Sequence, residues 1–492
     1  MKLSLLLIAL TLVSSAYAQH NPIYDWAPTD AIHLRDSVTA FRVNYKRDKG
    51  DAIAIVSPKG VEIGNDIPLP DNVQGIAAYE GHVAVFYQPG QKGENRELHV
   101  LELDPKTGAT LQDKLFYSVS SPNFVAFVVE RDASGRLMGV MARTTAWETK
   151  HQDGKTSSEK EMIQMGQTNG LELILPDQGL TPRVVRLPAG GEAQRKYWGS
   201  MVSDKGAFLF VSSSETQLIV QRFSATGALE GKLEASFDPE SPYEDIPGLD
   251  PVVLCSLDGD ALMTDVVFTR HKAKHPVSRM IRFDFTDGKV YQTPEVVVQK
   301  GFSGQAQPES RNANWHIEFF RPVDMEETPD YIIAVKELDW NDTFTDDGGG
   351  LYSTSMTGYR DMALIQVYDK KLNLLRTIPL IKSLTTNIPL VSAISVHAEG
   401  DNLYAITAEN PPPHKPGLRE YFYTISLRTG EVARQQVKKD DDFKTSLTIP
   451  QYVYWFHGGS CLINHIFKTT IGIPKKVRTS FNVSKYEPVQ ED

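Results

Sequence analysis

Two sets of residues carry side chains that could do chemistry. The first is spread along the chain: Asn123, Lys196-Tyr197-Trp198, Asp250, Trp315-His316 and Gln451-Tyr452. Aromatic rings beside Asp, His and Lys suit a polar, ring-bearing ligand such as a sugar or a small peptide. Within that set Asp250 and His316 are the two groups able to act as general acid and base. For any one ring, Trp198 for example, packing between sheets is the simpler account. The second set is two charged segments. Thr269–Arg279 reads TRHKAKHPVSR, with Arg270, His271 and His275 suited to an anion. Leu338–Asp361 contains Asp339, Asn341, Asp342, Asp346 and Asp347. Side by side, these segments make either a surface charge pair worth little or an anion-binding loop next to a cation-binding one.

Asp339, Asn341 and Thr343 place oxygen donors at alternate positions, as calcium loops do. Phe344 stands where an EF-hand needs glycine, and Gly350 where it needs glutamate. That excludes an EF-hand and leaves either a calcium site of another kind or a solvated acidic loop; no other cofactor is expected. His271 and His275 have the spacing of a helical metal pair, but Pro276 breaks that geometry and no third ligand stands nearby. The chain has no H-E-x-x-H, G-x-S-x-G, phosphate-binding G-x-x-x-x-G-K-[ST] or C-x-x-C motif. A site can, however, be assembled from scattered strands that no local motif reveals.

The elements that must position these residues are short strands. Runs rich in Val, Ile, Phe and Tyr alternate with Gly, Asp, Asn and Ser, the pattern of an all-β chain. Two families of turn recur in strict alternation. One joins long, polar-alternating strands, at Gly60, Gly108, Gly179, Gly227, Gly288, near Lys371 and at Gly430. The other joins more apolar strands, at Gly81, Gly135, Gly206, Gly259, near Thr328, at Gly400 and at Gly458. Seven turns of each family give seven four-stranded units, repeating at intervals somewhat longer than the ~40–50 residues typical of propeller blades because loops are inserted. A β-propeller of seven four-stranded blades is the expectation, with six or eight as alternatives. The chain opens on a third-and-fourth-strand hairpin at Ala52–Ile63 and closes on a first-and-second-strand hairpin at Tyr452–Ile466. Joined in one sheet, these halves would share the closing blade and leave no exposed edge. Phe41–Lys46 and Thr479–Val483 also read as strands and have no place in that scheme.

The D-x-x-T-G turn of LELDPKTGATL (Leu101–Leu111) resembles the outer hairpins of quinoprotein-like and related secreted propellers. The resemblance covers the repeat only. It implies the propeller fold and carries over no catalytic residue, because the tryptophan docking signature of quinoprotein dehydrogenases, the WD signature and the Asp-box are all missing.

In this layout both turn families lie on one face and the long insertions on the other. The insertions are Ala142–Gly170, Thr269–Arg279, Leu338–Asp361 and Glu409–Glu420, and a loop-rich face on a rigid scaffold is where binding usually resides. The first strand of each blade starts on that face, which places Asn123, Lys196, Asp250, Trp315 and Gln451 with their neighbours at the mouth of the central channel.

The chain has 492 residues, a net charge of −11 and 41% hydrophobic residues. That acidic balance argues against a general nucleic-acid partner, which needs a basic face. Lys2, the apolar run Leu5–Val13 and Ala16-Tyr17-Ala18 before Gln19 form a secretory signal. The expected organisation is signal peptide 1–18, N-terminal arm 19–39, propeller 40–470 and C-terminal arm 471–492. The product would be secreted or periplasmic, with a mature start near Gln19 and no membrane span. The two cysteines, Cys255 and Cys461, fall in non-adjacent blades, so two buried thiols rather than a disulfide are expected. Three functions remain open: a binding propeller for a glycan, peptide or protein; a carbohydrate-active hydrolase or lyase at the channel mouth; or a structural platform.

Overall fold

The computed structural model describes 28–34, 38–44, 51–56, 67–89, 97–119, 124–132, 135–146, 167–187, 196–203, 206–213, 217–236, 243–245, 252–256, 259–270, 277–297, 317–346, 353–359, 362–382, 384–386, 394–409, 419–436, 446–456, 460–467 and 479–485. Every strand pair among these residues is antiparallel. Sheet 1 contains β1 (Pro28–His33), β2 (Thr39–Asn44), β3 (Asp51–Val56) and β4 (Ile67–Pro68). Sheet 2 contains β5 (Val73–Tyr79), β6 (His82–Tyr87), β7 (Glu97–Leu103) and β8 (Thr110–Ser118). Sheet 3 contains β9 (Phe124–Arg131), β10 (Leu137–Ala146), β11 (Gln167–Asp177) and β12 (Thr181–Leu187). Sheet 4 contains β13 (Lys196–Val202), β14 (Phe208–Ser213), β15 (Gln217–Phe223) and β16 (Leu229–Ser236).

Sheet 5 adds β17 (Tyr243–Asp245) and β22 (Val296–Val297) to the four-stranded set β18 (Val252–Cys255), β19 (Ala261–Arg270), β20 (Val277–Asp284) and β21 (Lys289–Gln292). Sheet 6 is built on β23 (Ile317–Glu327), β24 (Ile332–Asp346), β26 (Met362–Tyr368) and β27 (Leu374–Ile381), with β25 (Ser353–Tyr359) and β28 (Thr385–Thr386) added. Sheet 7 contains β29 (Ile394–Glu399), β30 (Asn402–Glu409), β31 (Arg419–Ser426) and β32 (Val432–Gln436). Sheet 8 has three strands, β33 (Ser446–Phe456), β34 (Ser460–Phe467) and β35 (Thr479–Lys485).

The turns explain the order. In the Leu101–Leu111 unit, Asp104 Oδ1 accepts the Lys106 and Thr107 amides at 2.7 and 2.9 Å, and Gly108 completes the turn at φ 71°. A short acceptor side chain at the start and a left-handed residue at the end define the tight turn. Where the family lacks glycine, near Lys371, the backbone still goes left-handed at Leu372, φ 63°, with Asp369 accepting the Lys371 amide. Leu372 is held there by burial against Met325 and Tyr368.

Seven four-stranded antiparallel units in sequence order make an all-β propeller, the fold class read from the turn families. The first strands meet in succession, β1 on β5, β5 on β9, β9 on β13, and so on to β29 on β33. β18 takes the first-strand place in sheet 5. An apolar cluster fills each seam between consecutive sheets: Ile53, Ile76 and Val83 between sheets 1 and 2, Leu173, Phe208 and Phe223 between 3 and 4, Ile333, Ile365 and Leu403 between 6 and 7. Burying the faces of neighbouring sheets against one another is what makes the repeat stable, since no single unit encloses a core alone.

One detail differs from the sequence reading. The terminal hairpins do not share a sheet: β3 pairs with β2 and β4, while β34 pairs with β33 and β35. The strand segments around Phe41 and Thr479 supply the missing partners as β2 and β35. Among the described residues the strands run from Pro28 to Lys485. Cys255 is half-buried rather than buried, opposite Leu262 in β19; Cys461 lies in β34 opposite Trp455. Among the described residues no helix is long and apolar enough to cross a membrane.

Candidate functional site: the widened loop face and the inner strands

Sheets 5 and 6 are neighbours, and both are widened at the end away from the hairpin turns. β17 pairs Tyr243–Asp245 with Phe268–Arg270, at the far end of β19. β22 pairs with Val277 and Ser278, where β20 begins. In sheet 6, β24 continues past the four-stranded set, and its outer half, Trp340–Asp346, pairs with β25 across Ser353–Tyr359. β28 then adds to β25 at Gly358 and Tyr359. The segment read as an acidic loop is thus a β-arm, because Thr343, Phe344 and Thr345 are strand-formers and find ladder partners. Asp339, Asn341, Asp342 and Asp346 hold strand positions opposite Phe319, Ile317, Thr357 and Ser353. Arg270 ends β19 opposite Tyr243. The loop-rich face therefore has ordered β-structure rising from two consecutive sheets, one bearing Arg270 and the other the Asp339–Asp346 run.

Lys196 and Tyr197 open β13 opposite Ser213 and Ser212, and Trp198 falls in the bulge after them. Gln451 and Tyr452 lie in the irregular stretch of β33 between Thr448 and Val453. Asn123, Asp250, His271, His275, Trp315, His316 and Asp347 lie outside the described residues. Among the described residues no three His, Cys, Asp or Glu side chains converge as metal ligands.

Sequence reasoning missed a second group, carboxylates on the inner strands close to the hairpin turns. Glu130 on β9 is 5% exposed and accepts a hydrogen bond from the Ser200 hydroxyl of β13. Burial pushes its pKa up to about 7. Asp324 and Glu326 stand two residues apart on β23, both half-buried. Asp324 accepts the Met325 amide at 2.8 Å, and burial raises it to about 6. Burial, then the Asp324 charge, raises Glu326 to about 8. On the other face of β29, toward β33, Trp455 donates to Ser395 Oγ at 3.0 Å and stacks on His397, ring centroids 5.9 Å apart. The signal available in sequence was an acid at alternate positions of a first strand. On an inner strand flanked by sheets on both sides, such acids cannot all face bulk water.

A third group is structural. Lys336 Nζ lies 3.1 Å from Asp265 Oδ2 and donates to Ser278 Oγ at 2.5 Å, and Ser278 donates to Asp265 Oδ1 at 3.0 Å. All three residues are under 9% exposed, so this Ser–Lys–Asp set joins sheets 5 and 6 and is closed to a substrate. Burial raises the Asp265 pKa while Lys336 draws it back. Lys382 and Glu337 form an ion pair with both side chains fully buried.

The sheet order and the sealed seams define the class: a β-propeller with one elaborated face. No family model matches the chain, and no curated protein matches it. Among solved structures it is similar to the WD40 domain of SCAP from fission yeast, at 8% identity and TM-score 0.39, covering 93% of this chain and 91% of that one. It is also similar to the polysaccharide lyase Uly1, at 11% identity and TM-score 0.35, with 93% and 97% covered. A puromycin-hydrolysing peptidase from Mycobacterium tuberculosis matches at 10% identity and TM-score 0.39, covering 90% of this chain and 58% of that one. With a structure of prolyl endopeptidases the share of that chain is 54%, so this chain spans little more than half the length of those peptidases. The sheet order itself, and not these likenesses, identifies the fold.

Proposed function

We propose that this chain is an exported β-propeller binding protein that presents its loop-rich face to a glycan, peptide or protein. The observation that carries this reading is the β-structure added to sheets 5 and 6 at that face, β17 with β22 and β25 with β28. None of these strands is needed to complete a four-stranded unit. An ordered arm beside a rigid scaffold reduces the entropy lost on binding. Arg270 ends β19 and the Asp339–Asp346 run lies in β24, so the two extensions carry residue types of opposite charge, suited to a polar ligand. Export is supported by the signal at residues 1–18, which would direct the protein to the periplasm or outside the cell. The test is a glycan and peptide array probed with the mature protein and with a variant whose residues 341–358 are replaced by a two-residue turn. The expected result is a bound class that the shortened protein loses while its melting temperature moves by only a few degrees. Absence of any binding, or binding undiminished by the shortening, contradicts the proposal and leaves the platform reading.

A second reading, a hydrolase or lyase acting on a carbohydrate, is supported by Asp324 and Glu326. Two carboxyls raised to about 6 and about 8 at the inner strands have the split that separates a general base from a general acid. Release of reducing or unsaturated sugar ends from polysaccharides, abolished in Glu326→Gln, would establish it.

A further inference from the structure

β25 has a free edge. On one side it pairs with β24 through all 7 of its residues, without a bulge. On the other side, among the described residues, β28 pairs with Gly358 and Tyr359 alone. The backbone of Ser353–Thr357 therefore has ladder partners on one side only, and such an edge is a template for another strand. The outer strands of the four-stranded sets carry the residues that deter this pairing. β4, β12 and β27 each contain a proline, Pro68, Pro182 and Pro379, while β8, β16, β21 and β32 each contain a lysine or an arginine. β25, reading STSMTGY, contains no proline and no charged residue.

The register also fixes the chemistry beside the edge. Asp342, Phe344 and Asp346 of β24 pair with Thr357, Ser355 and Ser353, so these positions share one face of the arm. A strand laid on the free edge would lie two strand spacings from β24, about 10 Å. Only serine and threonine positions stand between, short enough for a lysine or arginine of the added strand to lean across them toward the two Asp positions. On the reading that this face holds the ligand, we propose that the ligand is an extended, basic peptide segment of a partner protein. It adds as a strand to the Ser353–Thr357 edge, antiparallel to β25 as β28 is. Main-chain hydrogen bonds along the edge supply affinity, and lysines or arginines at alternate positions, over the Asp342–Asp346 face, supply selectivity. A glycan cannot continue a β-ladder.

The probes are a fluorescent heptapeptide alternating threonine and lysine, its threonine–glutamate counterpart, and chitosan oligomers as a cationic sugar, each titrated against the mature protein. The lysine peptide should bind, the glutamate peptide should bind at least about tenfold more weakly, and chitosan should displace neither. Methylating the central backbone nitrogens of the lysine peptide one at a time should weaken binding about tenfold at every second position and leave the positions between within about twofold, because alternate amides of a strand face opposite neighbours. That scan needs no protein variant. The double variant Asp342→Asn, Asp346→Asn should bring the two peptides to within about threefold of each other. Binding of chitosan in place of the peptide, a preference for the glutamate peptide, a methylation profile without alternation, or no peptide binding at all, the result expected if the chain covers its own edge, would overturn the proposal. An array-identified ligand that still binds after residues 341–358 are replaced overturns the wider reading of the face instead, so the two failures are distinct.

Discussion

A Cβ on Gly227 would lie 2.4 Å from Val185 Cγ1 of the neighbouring sheet, at a backbone φ of 84°. Gly179 also has positive φ, 67°, but a Cβ there would meet nothing within 4 Å. Gly179→Ala should cost only the left-handed backbone, about 1 kcal/mol. Gly227→Ala should cost about 2–4 kcal/mol, because backbone strain and a steric clash add; urea unfolding of the two variants checks the difference. Removing one partner of the fully buried pair, as in Lys382→Met, takes this ion pair from buried Glu337 and should cost about 3–5 kcal/mol, far more than replacing Lys382 and Glu337 together with apolar residues. A double-mutant cycle in urea reads this directly. Glu130 carries the opposite sign. Its pKa of about 7 means that the wild type loses stability as pH rises from ~4 through 7, so Glu130→Gln should be about 2–3 kcal/mol more stable than wild type at pH 8 and no more stable at pH 4. The turn glycines were legible because φ sign dictates residue type. Glu130, Asp324 and Glu326 were not, because acid alternating with apolar residues reads as a solvent face until the neighbouring sheet is known.

At the scale of the element, hairpins were legible and their partners were not. Each tight turn announces itself through a short acceptor and a left-handed residue, as at Asp104–Gly108. Which hairpins share a sheet depends on strands far apart in sequence. Phe41 and Thr479 lie in strands that neither turn family places. On turn signatures alone the N- and C-terminal hairpins need each other, whereas in the structure they pair with β2 and β35. The outer half of β24 was obscured for a different reason: Asp, Asn and Thr dominate it, and only pairing with β25 makes a strand of it. Deleting residues 19–64 would remove β1 to β3 and strip Ile32, Ile53 and Ile55 from the cluster that buries Ile76, Val83 and Leu103 of sheet 2. That variant should melt well below wild type and bind a hydrophobic dye at temperatures where wild type does not.

At the scale of the whole molecule, the alternation of two turn families was enough for the propeller class, since seven repeats of each admit few other arrangements. The loop-rich face was legible only as a place where insertions accumulate. Its ordered part, the neighbouring extensions of sheets 5 and 6, depends on long-range pairing that local sequence does not encode. Scaffold and face should accordingly respond differently to perturbation: changes in the seams lower the melting temperature, while changes in the arm alter ligand binding at nearly constant stability. The central claim is that the widened face holds the ligand, and an amide-exchange footprint with an array-identified ligand tests it most directly. Protection is expected over residues 338–359 together with 243–245 and 268–270. Protection confined to the outer strands, such as β8, β12 or β16, or to the hairpin-turn face would contradict it.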